Sequence, residues 1–249
     1  MSTTHDLAQA ACDPAAGELT CVEVGASSVE TVLLGPAGAR RISGACAPAG
    51  QPLLIAVPGL VEGTRVLAAS NLGWYDVDPA EQLGLPAPAA LVCNDAEAAA
   101  LGESVLRPGR PDLVFVGLGT GVGGAVVRDG EVTANLFAHG GSFGERGCGC
   151  GRLGCLETVA GGWALPERLT GDDLARLARS VARAVQDEPL ATPPLVVLAG
   201  GLSAAYPSLV ALLAGALPAR TVQASAARGA KSAAAWGLRD RYATRAGIA

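Results

Sequence analysis

Aromatic side chains and lysine are scarce in this sequence. Phenylalanine, tryptophan and tyrosine make up 4% of the 249 residues, and the 18 basic residues are all arginine except Lys231. The arginines are scattered along the chain, and the net charge is −5. Because a nucleic-acid site shows as a clustered basic stripe, this pattern argues against a nucleic-acid partner.

Long apolar runs are also missing. Half of the residues are hydrophobic, but the excess is largely alanine in short runs, and no window approaches the roughly 18 apolar residues that a membrane helix requires. Residues 1–17 contain neither the basic region nor the apolar region of a secretory signal. We therefore expect a cytoplasmic protein with no membrane partner. Residues 1–18 are predicted to be a flexible extension, too short for a helix-turn-helix domain.

Histidine occurs only twice, whereas three of the seven cysteines cluster. Cys148, Cys150 and Cys155 form the pattern C-x-C-G-x-x-G-C, whose glycines allow the tight turns that bring three sulfurs around one point. A tetrahedral Zn²⁺ site needs a fourth ligand, and His139 lies nine positions upstream of Cys148. Three free thiols are the alternative. Spacing favours zinc in a structural role, because four protein ligands leave no open position for catalysis.

The first half of the chain is rich in strands. Residues 19–25 and 28–35 are predicted as two strands joined by a Gly-Ala-Ser-Ser turn, and residues 52–59 as a short buried strand. A further strand at residues 89–95 leads into an alanine-rich helix at 96–106. The segment Arg107–Asp112 breaks this helix with proline and glycine, so it is the best candidate for a domain boundary.

The second half opens with a glycine-rich hairpin. A strand at residues 113–116 enters G-L-G-T-G-V-G-G, and a second strand follows with an Asp129-Gly130 turn. Dinucleotide and Walker sites need a helix after the glycines. A strand-turn-strand segment can instead present backbone N–H groups to phosphate, although a plain hairpin fits equally well.

Two later segments have simpler patterns. A strand at residues 195–198 ends in glycines, where a flat ligand could lie against the backbone, and a helix is predicted from Ser203 onward. Residues 171–188 form an amphipathic pattern with acidic residues in the first turn, which predicts a packed surface helix without chemistry.

Taken in this order, the motifs resemble the ROK family of sugar kinases and repressors from about Leu19 to Leu238. "CGCGRLGCLE" is similar to the family's zinc signature followed by its sugar-binding glutamate, here Glu157. "VCNDAEAAALGE" resembles the segment that carries the general base, here Asp95, with Asn94 beside it on the sugar. "GLGTGVGGAVVRDG" looks like the second phosphate loop, and "VVLAGGLS" like the strand end that contacts adenosine.

The resemblance implies an α/β, two-lobed actin-like ATPase (ribonuclease H-like) fold with a central interdomain cleft. The N-terminal lobe would span residues 19–107 and the C-terminal lobe 108–249, with the last helix packing back on the N-terminal lobe. The implied cofactors are ATP, Mg²⁺ and a structural Zn²⁺. The implied substrate-binding residues are Asn94, Glu145, Glu157, Gly59 and Asn71. The implied nucleotide-binding residues are Glu23, Gly25, Ser27, Gly119, Thr120, Gly121, Gly200 and Gly201.

The chain departs from the family at three places. The first phosphate loop, usually Asp-x-Gly-Gly-Thr, begins here with Glu23, and Ala26 adds a Cβ where phosphate should approach closely. The family's Glu-x-Gly-His is matched to Glu145–Cys148, which leaves open whether Cys148 or His139 replaces the zinc histidine. Family helices are also missing between residues 44 and 52 and between 162 and 195. Because such losses expose apolar surface, we expect a homo-oligomer, most simply a dimer.

Two classes of function follow. The first is ATP-dependent phosphorylation of a hydroxyl on a hexose, amino sugar or sugar-like cyclitol, with Asp95 as general base. The second is a non-catalytic sugar- or nucleotide-binding sensor. Asn94 and Glu97 would also make a helix capping box, which requires no chemistry. The presence of Asp95 together with the second phosphate loop favours the kinase, since a binding module needs no general base.

Overall fold

The computed structural model describes residues 19–35, 38–48, 50–134, 137–187, 195–226 and 230–247. The predicted N-terminal extension, residues 1–18, lies outside these ranges. The strands are β1 (Leu19–Val24), β2 (Val29–Gly35), β3 (Gly38–Ser43), β4 (Leu53–Val57), β5 (Leu60–Glu62), β6 (Arg65–Ala69), β7 (Trp74–Val77), β8 (Leu91–Asn94), β9 (Leu113–Leu118), β10 (Val122–Arg128), β11 (Glu131–Ala134), β12 (Leu195–Ala199) and β13 (Thr221–Ala224). The helices are α1 (Pro79–Gln82), α2 (Asp95–Val105), α3 (Glu157–Ala160), α4 (Gly171–Asp187), α5 (Gly201–Ala205), α6 (Ser208–Ala216) and α7 (Ala230–Ala246).

Two five-stranded sheets share one topology. The strand order is β3-β2-β1-β4-β8 in the first sheet and β11-β10-β9-β12-β13 in the second. In each sheet an antiparallel meander of three strands is extended by two parallel strands. Because parallel strands end at the same edge, the loops after β1, β4 and β8 lie together, as do those after β9, β12 and β13. This duplicated arrangement is the actin-like fold that the motifs imply.

Helices α2 and α7 form the layer between the two sheets. Helix α7 packs on the first sheet and α2 on the second, and a single apolar core contains residues of both sheets and both helices. The helices cross closely: a Cβ at Gly102 would lie 1.7 Å from the Ala233 carbonyl oxygen, and one at Gly237 would lie 1.9 Å from that of Ala98. Only glycine fits at either position.

A buried ion pair also joins the two halves. Glu103 of α2 is fully buried and pairs with Arg107, one turn further along the helix. The Glu103 carboxylate also accepts hydrogen bonds from the Ser225 hydroxyl and, at 2.9 Å, from the Ala226 amide, which follow β13. Arg107 donates to the carbonyl of Ala224 at 2.9 Å. The predicted boundary at 107–112 is therefore a chain crossing that is tied firmly to the second sheet.

The predicted elements are largely confirmed, and besides the short helices α1 and α3, which were not predicted, there are three differences. The helix after β12 begins at Gly201 and not at Ser203, because Gly200 turns directly into it. Strands β3 and β13 were not predicted, since both are edge strands that are mostly exposed and lack a buried alternating face. The small sheet β5-β6-β7 also went unpredicted. Among the described helices, none has the length and apolar character needed to cross a bilayer.

Candidate active site

Asn94 caps the helix that carries the predicted general base. Its side-chain oxygen accepts hydrogen bonds from the backbone amides of Ala96 at 2.9 Å and Glu97 at 3.2 Å. Its side-chain nitrogen donates to the Gly59 carbonyl at 2.9 Å, which ties the β4–β5 turn to the same sheet edge. The capping interpretation of Asn94 is confirmed. The Glu97 carboxylate accepts a 2.9 Å hydrogen bond from Arg241 of α7.

Asp95 is the first residue of α2 and is half-buried. Burial raises the pKa of its carboxyl group from an ordinary value of 3.8 to about 6, against the opposing effect of the 2.8 Å hydrogen bond from the Ala96 amide. The nearby Glu97 carboxylate adds to the rise in pKa. A carboxylate with a pKa near 6 is mostly deprotonated at neutral pH yet basic enough to accept a proton.

Residues 59–71 are called the sugar-side loop here, because the resemblance implies sugar contacts for Gly59 and Asn71. This loop turns tightly at Gly59. This residue has φ +102°, and a Cβ on it would lie 2.1 Å from the Ala68 carbonyl oxygen. The turn leads into the small sheet, and Asn71 lies exposed in the 3-10 turn Ser70–Leu72 that joins β6 to β7. Gly59 therefore acts through its backbone, whereas Asn71 offers a side chain.

The cysteine segment and His139 converge on one point. Ligand atoms of His139, Cys148, Cys150 and Cys155 all lie within 4.8 Å of one another. The Cys148 sulfur is 3.5 Å from His139 Nδ1, and the Cys150 and Cys155 sulfurs are 3.6 Å apart. Usual Zn–S and Zn–N bond lengths give tetrahedral edges of about 3.6 Å for S–N and about 3.8 Å for S–S. The donor set and its spacing therefore fit Zn²⁺.

A short knuckle holds these ligands. Gly147 pairs with Leu153, and the Cys148 amide donates to the Arg152 carbonyl at 2.8 Å across the turn. Gly154 has φ +66°, and a Cβ on it would lie 2.2 Å from the Gly144 carbonyl oxygen. We call residues 139–155 the metal knuckle.

The metal knuckle answers the question that the sequence left open, since His139 and Cys148 both belong to the cluster. A cluster that contains both residues favours aligning the histidine of the family's Glu-x-Gly-His with His139 over matching the pattern to Glu145–Cys148. If His139 is the histidine of that pattern, Leu136 stands in place of its glutamate and Ala138 in place of its glycine. Leu136 lies outside the described residues. Glu145 is an exposed residue of the knuckle.

Glu157 lies where three parts of the candidate site meet. The residue is only 5% exposed. Its Oε2 accepts a 3.1 Å hydrogen bond from the Val122 amide, and its Oε1 lies 3.7 Å from the Cys148 sulfur. A Cβ on Gly121 would lie 2.5 Å from Glu157 Oε2 and 3.5 Å from Asn71 Nδ2. The metal knuckle, the sugar-side loop and the second glycine turn are thus brought together.

The second glycine turn, residues 119–121, leads into a strand that contacts the start of α2. The turn closes with a 3.0 Å hydrogen bond from the Gly119 amide to the Gly121 carbonyl. Thr120 is exposed, and a Cβ on Gly119 would meet nothing within 4 Å. A Cβ on Gly123, just past the turn, would lie 3.0 Å from the Ala96 Cβ. The turn therefore borders open space, and strand β10, which follows it, packs against Ala96 at the start of α2.

The end of β12 continues this surface. Ala199 pairs with Gly117 of β9, so Gly200 leaves the sheet next to the second glycine turn. Gly200 has φ +94°, and a Cβ would lie 2.3 Å from the Leu118 carbonyl oxygen. A Cβ on Gly201 would meet no atom within 4 Å. The backbone conformation at position 200 thus requires glycine, while the absence of a side chain at Gly201 leaves space for a ligand.

The first phosphate loop has a mixed character. The Gly25 amide donates to the Ser28 carbonyl at 2.8 Å, and Ala26 and Ser27 are exposed at the same sheet edge as Gly59. Glu23, in contrast, is 3% exposed and accepts a 3.1 Å hydrogen bond from the Ala235 amide of α7. Its carboxylate is therefore directed into the protein and not towards a ligand at this edge, although the resemblance implies nucleotide binding for Glu23.

Three contacts of the candidate site could not be predicted from the sequence. The carbonyl of Gly119 accepts a hydrogen bond from Gly162 at 2.9 Å, and that of Thr120 accepts one from Trp163 at 3.1 Å. The exposed Trp163 ring is covered by the Arg146 guanidinium, 4.6 Å from its centroid. These are backbone contacts and a surface pair, for which the motif carries no recognisable signal.

Comparison with known proteins agrees with this arrangement. The model of the ROK family matches residues 49–213. An N-acetylmannosamine kinase of Salmonella newport (strain SL254) is 38% identical over 143 residues, which cover 50% of this chain and 47% of the relative. The chain thus spans about half the length of the curated relatives that it matches.

Solved structures match over nearly all of the chain. A ROK family glucokinase from Streptomyces griseus, in complex with glucose and AMPPNP, has a TM-score of 0.69 at 19% identity and covers 90% of this chain and 99% of its own. An inorganic polyphosphate/ATP-glucomannokinase from Arthrobacter has a TM-score of 0.64 at 21% identity, with 92% and 99% covered. The family model matches most of the sequence and these structures match its fold, so the chain belongs to the ROK family and has its two-lobed actin-like fold.

Proposed function

We propose that this protein is an ATP-dependent sugar kinase that phosphorylates a hydroxyl of a hexose or amino sugar. The observation that carries the proposal is the placement of Asp95. Burial raises the pKa of the Asp95 carboxyl group to about 6, and Asp95 begins a helix that packs against β10, the strand that follows a glycine turn suited to phosphate. A protein that only binds sugar has no need of such a base.

Asp95 acts on the acceptor hydroxyl in this proposal. As the hydroxyl oxygen forms its bond to the γ-phosphorus, the carboxylate accepts the hydroxyl proton, the bond to the β-phosphate oxygen breaks, and ADP leaves. The Ala96 amide holds one carboxylate oxygen at 2.8 Å. The carboxylate is thereby oriented before substrate arrives.

The nucleotide would occupy the edge formed by the turns after β1, β9 and β12. Gly119–Gly121 and the exposed Ser27 would face phosphate, with Gly201 beside the adenosine. Mg²⁺ bound with ATP would neutralise charge on the phosphates. Within the described part of the chain, the one group of three or more clustered His, Cys, Asp or Glu ligands is the Cys/His set, so we place no Mg²⁺ ligand in the protein.

The sugar would lie between Asp95 and the metal knuckle. Glu157 accepts hydrogen bonds there, Asn71 offers an exposed amide, and the Asn94 side chain has a second N–H beyond the one given to Gly59. Buried acceptors discriminate well between hydroxylated substrates, because a missing hydroxyl leaves them unpaired. The relationship to an N-acetylmannosamine kinase supports N-acylated amino sugars as the first acceptors to test.

A structural Zn²⁺ completes the proposal. His139, Cys148, Cys150 and Cys155 would hold it with the spacing of a tetrahedral site. Four protein ligands leave no position for substrate, so the ion would support the fold of the knuckle, and Glu157 follows the last ligand by two residues.

One observation favours the second candidate, a non-catalytic sensor. The buried Glu23 and the Cβ of Ala26 both alter the first phosphate loop. A sensor would bind sugar or nucleotide without turnover.

Measurement of ADP release over a panel of hexoses, amino sugars and cyclitols tests the proposal. We expect turnover with at least one acceptor, and a loss of about 10²- to 10⁴-fold in kcat for Asp95→Asn. Binding of sugar by Asp95→Asn, followed by calorimetry, should persist. Absence of turnover with every acceptor, despite measurable sugar or nucleotide binding, would establish the sensor instead.

A further inference from the structure

The metal knuckle and the second glycine turn are connected by two separate sets of contacts. We infer that the knuckle sets the conformation of this turn, so that metal occupancy and nucleotide affinity are coupled. This inference rests on the proposed function, because it assigns a means of regulation to the same site.

The first connection runs through Glu157. Oε1 lies 3.7 Å from the Cys148 sulfur, and Oε2 accepts the 3.1 Å hydrogen bond from the Val122 amide directly after the turn. A Cβ on Gly121 would be 2.5 Å from Oε2, so the turn backbone packs onto this carboxylate. Any shift of the knuckle that moves Glu157 therefore moves residues 121 and 122.

The second connection runs through Arg146 and Trp163. Arg146 belongs to the knuckle, its carbonyl accepts from the Gly154 amide at 2.9 Å, and its guanidinium covers the Trp163 ring at 4.6 Å. The Trp163 amide donates to the Thr120 carbonyl at 3.1 Å. Arg146 also donates to the Ala164 carbonyl at 3.3 Å, which fixes the same segment from its other side.

Both connections matter because the turn has little rigidity of its own. Five of the eight residues from 117 to 124 are glycine, and glycine loses more conformational freedom on ordering than any other residue. A turn that is ordered before the nucleotide arrives binds it more tightly, because less entropy is lost on binding. Bridging four side chains with an ion restricts the knuckle, and through it the turn.

The test compares the ATP affinity of two forms of the whole chain, one loaded with Zn²⁺ and one treated with a chelator. Calorimetry measures the affinity of each form in the absence of sugar. We expect the metal-free protein to bind ATP about 5- to 100-fold more weakly, the usual range of coupling between two sites. Because coupling is reciprocal, ATP should slow the transfer of Zn²⁺ to a chromogenic chelator and raise the metal affinity by the same factor. Equal ATP affinity of both forms, within twofold, overturns the inference.

Variants supply the matched comparison. Arg146→Gln should weaken ATP binding by the zinc-loaded protein about 3- to 10-fold and shrink the zinc-dependent difference, since one of two connections is lost. Arg239→Gln is the control, because Arg239 covers Trp236 at a comparable 5.0 Å on α7. An equal effect of both variants on ATP affinity contradicts the inference. If the chelated protein unfolds, the comparison of the two variants in the zinc-loaded state tests the inference alone.

Hydrogen exchange separates this inference from the proposed function. Amides 117–124 should exchange faster in Arg146→Gln than in Arg239→Gln, with no nucleotide present. If that difference is seen but ATP does not bind to the loaded protein, the coupling to the turn holds and the kinase proposal fails. If ATP binds and is turned over but neither Arg146→Gln nor metal removal changes exchange in the turn, the kinase proposal stands and this inference fails.

Discussion

At the scale of single residues, Asp95 shows a conflict between stability and function. Folding raises its pKa to about 6 because the carboxylate loses hydration, so the charged form that serves as the base is also the form that the fold disfavours. The unfolded chain loses this proton near pH 4. The contribution of Asp95 to the free energy of unfolding should therefore fall as pH rises from about 4 to about 6 and stay lower above that window.

Asp95→Asn removes this pH-dependent term. Asparagine keeps an oxygen that can accept from the Ala96 amide, and it carries no charge to desolvate. We expect the variant to unfold at a higher denaturant midpoint at pH 7.5, by about 1 to 3 kcal/mol, with the gain disappearing below about pH 4. Chemical unfolding at several pH values measures it; a variant that is less stable than wild type at pH 7.5 contradicts the expectation.

The same pKa predicts the pH dependence of catalysis. The base must be deprotonated, so kcat/KM for the sugar should fall tenfold per pH unit below about pH 6 and level off above it. Initial rates between pH 5 and 8, at saturating ATP, provide the profile. A rate that is flat down to pH 5 would show that Asp95 is not the base.

Two glutamates of the same region should behave differently. Glu157→Gln should lower kcat/KM for the sugar about 10- to 100-fold, because a buried charged acceptor is lost. Glu145→Gln makes the same chemical change at an exposed position and should alter kcat/KM less than about twofold. Steady-state kinetics with both variants measures this, and a comparable loss for Glu145→Gln would restore Glu145 to the sugar site.

Side chains at this scale were more predictable than backbone groups. The cysteine spacing and the nearby histidine indicated the metal cluster because thiols and imidazoles have few other roles when grouped. In contrast, the amides of Val122, Gly162 and Trp163 are defined only by where the chain folds back. Any residue other than proline carries the same N–H, so no pattern distinguished them.

At the scale of elements, the crossing of α2 and α7 depends on two glycines. Gly102→Ala and Gly237→Ala would each place a methyl group within 2 Å of a backbone oxygen of the facing helix. We expect each variant to lose more than about 2 kcal/mol of unfolding free energy, since the helices must separate. Gly215→Ala, in α6 with nothing within 4 Å of the new Cβ, is the control.

Gly215→Ala should stabilise the protein by about 0.5 to 1 kcal/mol, because alanine is the better helix former. Thermal or urea unfolding of the three variants distinguishes crowding from helix propensity. If Gly102→Ala were as stable as wild type, the close crossing would not exist in solution.

Elements with a buried face were predictable, and exposed ones were not. Helix α4 repeats its apolar residues at helical spacing because one side packs on the second sheet, and its predicted range is confirmed within one residue. Strand β3 contains two adjacent arginines and lies at a sheet edge, so nothing in its pattern indicates a strand. Its existence follows from pairing with β2, a tertiary contact.

At the scale of the whole molecule, oligomeric state stays a prediction. Leu60 and Tyr75 of the small sheet are more than half exposed, and exposed apolar side chains of this size are commonly covered in assemblies. We expect a homodimer at micromolar concentration, with light scattering reporting twice the chain mass. A monomer mass over that range would contradict it.

The shared core between the sheets has a consequence for how the chain can be divided. A domain usually has its own hydrophobic core and can in principle fold alone, so a two-domain protein can be divided at the connecting segment. Here α2 precedes the crossing at 107–112 yet packs on the second sheet, while α7 follows it yet packs on the first. Each half of the chain contributes a helix to the core of the other half, so neither fragment alone would have a complete core. The two fragments should fold only when they associate with each other.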